Sequence, residues 1–123
     1  MKISLDQLCQ HYFEVFSMKD IKKLSDLFSD NIELEDWNIK VKGKEDVIKA
    51  YQNIFDSVDD IHAYRVKFHD CGYTMCCEIL IRIYGKDHSS LNISGDIEEE
   101  IQVMDVITFN SRMKIIKIKA YKI

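Results

Sequence analysis

The chain has 123 residues, of which 46% are hydrophobic and 31% are charged, and its formal net charge is −4. This length suits one domain with a real core, and the composition is that of a folded globular protein rather than a disordered one. The acidic balance argues against a nucleic-acid-binding protein, and no stretch approaches the roughly 20 apolar residues of a membrane span. We therefore predict a single domain over residues 1–123.

The first half of the chain carries helical signals. Ser4 followed by Gln7 is a capping box, and apolar residues then recur at helical spacing. Asp20 is suited to cap a second, shorter helix. We predict helices at about 5–18, 21–28 and 44–56, a strand at 31–37, and a short link at Lys42 and Gly43 before the third helix.

The second half alternates with a period of two, which indicates strands. We predict strands at 62–70, 73–84, 96–110 and 113–123, with a loop at 85–95. In the first of these, Tyr64 and Val66 share one face, and Arg65 and Lys67 the other. Tyr73 is predicted to be buried. Helices gathered ahead of an antiparallel sheet describe an α+β fold, and we expect three helices to wrap a strongly curved sheet that encloses a pocket with an apolar mouth.

Two aspartates occupy positions at which the strand pattern is apolar. Asp105 shares the parity of Val103 and Ile107, and Asp36 shares that of Leu34. An isolated ionised carboxylate facing the interior is costly, so such a group finds a partner or raises its pKa and becomes neutral. Both acids are therefore candidates for acid–base or donor chemistry. Asp105 could equally be a structural acid bonded to Tyr12 or to a backbone amide, and Asp36 could simply begin a turn.

The four cysteines lack the paired spacing of a zinc site, and we predict no metal centre. We read them as buried or half-buried thiols of a reducing compartment, and the start of the chain has no apolar secretory segment. We therefore expect a cytoplasmic protein. Cys76 and Cys77 are adjacent in a predicted strand, where they would face opposite ways.

Several segments, taken in order and spacing, resemble the NTF2-like superfamily and, within it, the ketosteroid isomerase and SnoaL-like branch. These segments are His11–Val15, Asp20–Ile21, Leu34–Asp36, Gly43–Glu45, Ala50–Tyr51, Met104–Phe109 and Ala120–Tyr121. The resemblance covers about residue 8 to residue 122, nearly the whole chain. It implies a cone-shaped α+β fold.

The resemblance also implies roles for particular residues. Asp36 matches the proton-shuttling base of the steroid isomerases, Tyr12 the oxyanion-hole tyrosine and Asp105 the protonated aspartate beside it. Tyr51 matches a tyrosine that hydrogen-bonds the catalytic one. In the chemistry that these roles imply, a base removes a proton next to a carbonyl while donors stabilise the charge that develops on its oxygen. Ketosteroid isomerase is itself the standard example of such pKa tuning.

We accordingly predict an isomerase-like or polyketide-cyclase-like enzyme that needs no cofactor and binds a small apolar molecule. We expect its pocket to be lined by Phe16, Phe28, Trp37, Phe55, Met75, Val103 and Ile107. Lys122 stands where the family has a pocket aromatic. The alternatives are a non-catalytic ligand-binding module and a protein-association module. We also expect a homodimer formed through the sheet, whose outer face would carry Arg65, Lys67, Glu78 and Arg82.

Overall fold

Three helices and a six-stranded sheet form the part of the chain that the computed structural model describes, residues 3–85 and 97–123. The helices are α1 (Leu5–Ser17), α2 (Ile21–Leu27) and α3 (Lys44–Asp56). The strands are β1 (Phe28–Glu35), β2 (Lys40–Lys42), β3 (Asp60–Cys71), β4 (Thr74–Tyr84), β5 (Ile97–Phe109) and β6 (Ile115–Lys122). None of the helices in these ranges is long and apolar enough to span a membrane. The loop predicted at 85–95 lies, apart from Gly85, outside the described residues, as does Asp96.

The helices begin where local side-chain chemistry predicts. The Ser4 hydroxyl accepts a hydrogen bond from the Gln7 backbone N–H at 3.1 Å, and the Gln7 side chain accepts one from the Ser4 N–H at 3.0 Å. The Asp20 carboxylate accepts from the Lys23 N–H at 3.0 Å at the start of α2. These bonds satisfy donors that the first helical turn leaves without partners, so the predicted caps of α1 and α2 are confirmed.

The sheet is curved and mostly antiparallel, with the strand order β2-β1-β6-β5-β4-β3. β1 and β6 are the parallel pair, and the other neighbours run antiparallel. The predicted α+β fold, with three helices on a curved sheet, is therefore confirmed. The apolar faces of the helices and the inner face of the sheet form one core, in which Leu24, Phe28, Ile32 and Met75 are among the largest fully buried side chains.

Several boundaries differ from the prediction. Phe28 begins β1 instead of ending α2, because its extended backbone places its side chain in the core. The link before α3 contains the short strand β2, which pairs with β1. Three residues are too few to show an alternating pattern in the sequence. Asp36 follows the end of β1 and lies in the turn toward β2 rather than in the strand.

A β-bulge reverses the predicted faces of the first part of β3, up to Arg65, whereas Lys67 stays on the outer face as predicted. Arg65 pairs with Ile79 and Lys67 with Glu78, so Val66 is the extra residue. A bulge shifts the alternation by one residue, and this places Arg65 on the helix side of the sheet and leaves Tyr64 43% exposed. The prediction that Arg65 shares the outer face with Lys67 is therefore wrong, and Tyr64 lies on that face instead.

Arg65 has a structural role on the helix side. Its guanidinium donates to both carboxylate oxygens of Asp6 in α1, at 2.9 and 2.6 Å, and lies 3.9 Å from the centre of the Phe68 ring. This contact ties α1 to the edge strand β3. The prediction that Tyr73 is buried is also wrong, because this residue belongs to the turn before β4 and is 65% exposed.

Candidate active site

A cavity of about 360 Å³ lies between the helices and the inner face of the sheet. Most of the side chains that line it are aliphatic or aromatic. Its polar lining consists of Tyr12, Asp36, Asn38, Tyr51, Glu99, Asp105 and Lys122. A volume of this size falls in the range of small-molecule sites, roughly 300 to 1,000 Å³, where a few polar groups in an apolar wall orient the ligand.

Two tyrosines from different helices meet in this cavity. Tyr12 of α1 and Tyr51 of α3 are both buried, and their hydroxyl oxygens are 2.5 Å apart, a distance at which either can donate. Burial raises the pKa of Tyr12 well above its usual value, and the neighbouring Tyr51 and Asp105 raise it further. Burial likewise raises the pKa of Tyr51. Both phenols therefore remain protonated and able to donate near neutral pH.

Asp105 reaches the cavity from the middle of β5. Its side chain is 6% exposed and faces inward with Val103 and Ile107, as the alternation predicts. Burial, followed by the nearby charge of Asp36, raises the pKa of Asp105 to about 7. The carboxyl group has no hydrogen-bond partner among the described residues. It is therefore placed to donate to a ligand when protonated, and the structural alternative of a fixed bond to Tyr12 is not observed.

Asp36 lies at the edge of the cavity in the turn after β1. Its Oδ1 accepts from the backbone N–H groups of Asn38 and Ile39 at 2.7 and 2.6 Å. These two bonds hold the half-buried carboxylate in place, and its Oδ2 makes none of the hydrogen bonds found in the described part of the chain. Asp36 is also close enough to raise the pKa values of Asp105 and Tyr51. Asp36 therefore both orders this turn and lines the cavity.

The arrangement combines an acceptor with donors around one apolar space. Asp36 offers a carboxylate oxygen, whereas Tyr12 and a protonated Asp105 offer O–H groups. A cavity that removes water strengthens such hydrogen bonds and requires no reorganisation as charge develops on a ligand. The four side chains predicted to form the site, Tyr12, Asp36, Tyr51 and Asp105, all line this one cavity.

The predicted pocket lining divides into two groups. Phe16, Trp37 and Val103 line the cavity. Four others, Phe28, Phe55, Met75 and Ile107, are buried in the hydrophobic core and are not among the residues that line it. Core and pocket side chains both point inward, and the position of the helices decides which of them are covered and which line the cavity.

Two polar residues of the cavity were not predicted. Asn38 belongs to the turn that presents Asp36, and no sequence signal places it there. Glu99 alternates with Ile101, Val103 and Asp105 along β5, and this pattern could have predicted that it faces the same side as Asp105. Lys122 lines the same cavity, where its Nζ lies 5.3 Å from the centre of the Trp37 ring.

Comparison with known families finds one whose description is "SnoaL-like domain", matched by residues 5–91. A comparison with curated proteins finds no matching sequence. Many solved structures share the fold. One, from Shewanella denitrificans OS-217, is a candidate SnoaL-like polyketide cyclase. It is 15% identical to this chain, with a TM-score of 0.81, and the match covers 97% of this chain and 90% of the other.

Two further structures show the same fold. SalBIII, an epoxide hydrolase/cyclase-like enzyme with a role in pyran ring formation in the polyether salinomycin, is 12% identical, with a TM-score of 0.78 and coverage of 96% and 89%. A protein from Catenulispora acidiphila DSM 44928 with a ketosteroid isomerase-like fold, in complex with trimethylamine, is 11% identical. Its TM-score is 0.78 and its coverage 94% and 84%. At these identities the likeness shows the fold, and the predicted NTF2-like fold with its SnoaL-like resemblance is confirmed.

Proposed function

Since this chain belongs to the SnoaL-like domain family, we propose that it is an isomerase-like enzyme that transfers a proton next to a carbonyl group of a small apolar substrate. The overall result would be a double-bond isomerisation or a cyclisation. One observation carries the proposal: Asp36, Tyr12 and Asp105 come from three separate elements and line one cavity. The family and its solved relatives support a small-molecule role, because two of those relatives are described as cyclases or cyclase-like.

In the proposed reaction, the Asp36 carboxylate removes a proton from the carbon next to the carbonyl. The carbonyl oxygen gains negative charge and accepts hydrogen bonds from Tyr12 and from protonated Asp105, which stabilise it. Tyr51 donates to the Tyr12 hydroxyl and thereby leaves the Tyr12 proton available to the substrate. Asp36 then returns its proton to a different carbon; in a cyclisation, the enolate carbon attacks a second carbonyl of the substrate, whose C=O π bond opens, and Asp36 gives its proton to that oxygen. These reaction steps require no cofactor.

The cavity favours a small apolar substrate. Its wall is mainly aliphatic and aromatic, and its volume of about 360 Å³ suits a ligand of modest size. We further propose a cytoplasmic location, because the cysteines in the described ranges are free thiols, as is usual in a reducing compartment.

A proton-transfer assay with a panel of β,γ-unsaturated ketones tests the proposal, with Asp36→Asn as the variant. Asparagine retains the Oδ1 acceptor for the two backbone N–H groups of the turn, so the loop should keep its shape while the base is lost. The exposed Asp26 provides a matched control, Asp26→Asn. We expect turnover in Asp36→Asn to fall roughly 100- to 10,000-fold, as is usual when a general base is removed. Wild-type turnover in Asp36→Asn would refute the proposed role.

A ligand-binding module without catalysis is the second candidate, and the cavity itself favours it. A phenol is the discriminating probe, because the oxygen of its phenolate form resembles the charged oxygen of an enolate. Trp37 lines the cavity and is the single tryptophan, so its fluorescence reports binding. Phenol binding without turnover on any ketone would favour the binding module. Absence of both would favour an association module, for which a homodimer formed through the sheet is testable by sedimentation.

A further inference from the structure

The cysteines of the described chain form two pairs on opposite sides of the sheet. Cys76 and Cys77 are neighbours in β4, so their side chains point to opposite faces. Cys77 is fully buried against Cys9 of α1, and both belong to the core. Cys76 is half-buried on the outer face, where the exposed Cys71 ends β3. The outer pair alone is within reach of a reagent in solvent.

The register of the β3–β4 hairpin brings the outer pair together. His69 lies opposite Cys76, and Cys71 lies opposite Thr74, so the two cysteines are diagonal neighbours on one face. The turn between them is held by the Asp70 carboxylate, which accepts from the Gly72 N–H at 3.0 Å, and by the positive φ of Gly72. Burial raises the pKa of Cys76, and the neighbouring Cys71 thiol raises it further. The hairpin register and its turn therefore place the two thiols next to each other on the outer face of the sheet.

We propose that Cys71 and Cys76 form a site of reversible oxidation, which a peroxide converts to an intrachain disulfide across the hairpin. Cys71 is the more exposed thiol, and as its thiolate it attacks hydrogen peroxide to give a sulfenic acid and one water. The Cys76 sulfur then attacks the Cys71 sulfur, the S–O bond of the sulfenic acid breaks, and its hydroxyl leaves with the Cys76 proton as a second water. Two thiols thus lose two electrons to one peroxide, and a dithiol reductant reverses the reaction.

Thiol counting by mass spectrometry tests this site. The wild-type protein is treated with hydrogen peroxide, unfolded, and alkylated with iodoacetamide. We expect the number of alkylated cysteines to fall from four to two, and dithiothreitol to restore all four. Cleavage after Lys67 and Arg82 releases one peptide with Cys71, Cys76 and Cys77, and fragmentation of that peptide locates the bridge.

Variants separate this site from its neighbours. Cys71→Ser and Cys76→Ser should each reduce the bridge to background, and both changes lie on the outer face, away from the core. Cys77→Ala is the matched control and should retain the bridge. Should that variant not fold, fragmentation of the wild-type peptide still distinguishes a bridge between Cys71 and Cys76 from one between Cys76 and Cys77.

Four other results would overturn the proposal. They are a bridge between Cys76 and Cys77, a sulfinic acid on Cys71 with Cys76 still reduced, a covalent dimer through Cys71, and no loss of thiols at peroxide concentrations that oxidise a reference dithiol. The proposal is independent of the proposed enzymatic function, because its readout is the oxidation state of the outer pair and not turnover.

Discussion

Replacing Asp105 with asparagine should remove a specific pH dependence of folding stability. The pKa of Asp105 rises from 3.8 to about 7 on folding, chiefly through burial and then through the charge of Asp36. The native state therefore holds this proton to higher pH than the unfolded chain does. The stabilising contribution of Asp105 is complete below about pH 4 and is lost as the pH rises to about 7. Asparagine does not titrate and lacks this behaviour.

The magnitude follows from the pKa itself. At about 1.4 kcal/mol for each pH unit, a rise from 3.8 to about 7 is worth about 4 kcal/mol in total. Raising the pH from about 5 to about 8 crosses most of the interval between these two pKa values. Over that change, ionisation of Asp105 should lower the free energy of unfolding by about 3 kcal/mol. Other groups titrate over the same interval, so the quantity to compare is the difference between wild type and Asp105→Asn.

Urea denaturation, followed by circular dichroism at about pH 5 and about pH 8, measures this difference. The pH dependence of the wild type should exceed that of Asp105→Asn by about 3 kcal/mol, whatever the absolute stability of the variant. Asp26→Asn, an exposed control, should behave like the wild type. In Asp36→Asn the pH dependence should exceed that of Asp105→Asn by less, because the charge of Asp36 is one cause of the raised pKa of Asp105. An equal pH dependence in wild type and Asp105→Asn would refute the argument that burial keeps this carboxyl neutral.

Three further contacts described above can be tested by substitution, each with urea denaturation. Tyr12→Phe and Tyr51→Phe should each lower stability by about 1–3 kcal/mol, because each leaves the other buried hydroxyl without its partner. The double variant should lose about 1 kcal/mol less than the sum of the two single losses. Strict additivity would argue against the hydrogen bond between the two tyrosines. Ser4→Ala should cost about 1 kcal/mol through loss of the cap, and no change would contradict the capping box. Arg65→Ala should cost less than about 1 kcal/mol, since its ion pair with Asp6 is partly exposed; a much larger loss would mean that this contact does more than tie α1 to β3.

Features that depend on local chemistry were predictable from the sequence. The caps at Ser4 and Asp20 involve residues three apart, and the inward position of Asp105 follows from alternation within one strand. The bulge at Val66 was not predictable in this way, because it is visible only in the pairing of β3 with β4 and reverses the faces on one side of the bulge alone. The position of β2 was likewise hidden, since a strand of three residues is recognised by its partner and not by its own pattern.

The candidate site needed more than the strand pattern. Alternation placed Asp105 inward, but it gave no reason for Tyr12, Tyr51 and Asp36 to share a space with it. That grouping came from the resemblance, and the structure places all four around one cavity. Asp36 also shows the limit of the parity argument, because it lies beyond the end of β1, where backbone N–H groups of the turn orient it.

The parallel pairing of β1 with β6 has a consequence for the order of assembly. β1 carries core residues and leads into the turn that presents Asp36, yet its neighbour on one side is the last strand of the sheet. Contacts between segments so distant along the chain form late, since closing the long intervening loop costs entropy before any contact repays it. During synthesis, β1 with β2 must wait as an unfinished edge until β6 is made. The sheet beside the turn that presents Asp36 is therefore complete only once β6 has paired with both β1 and β5.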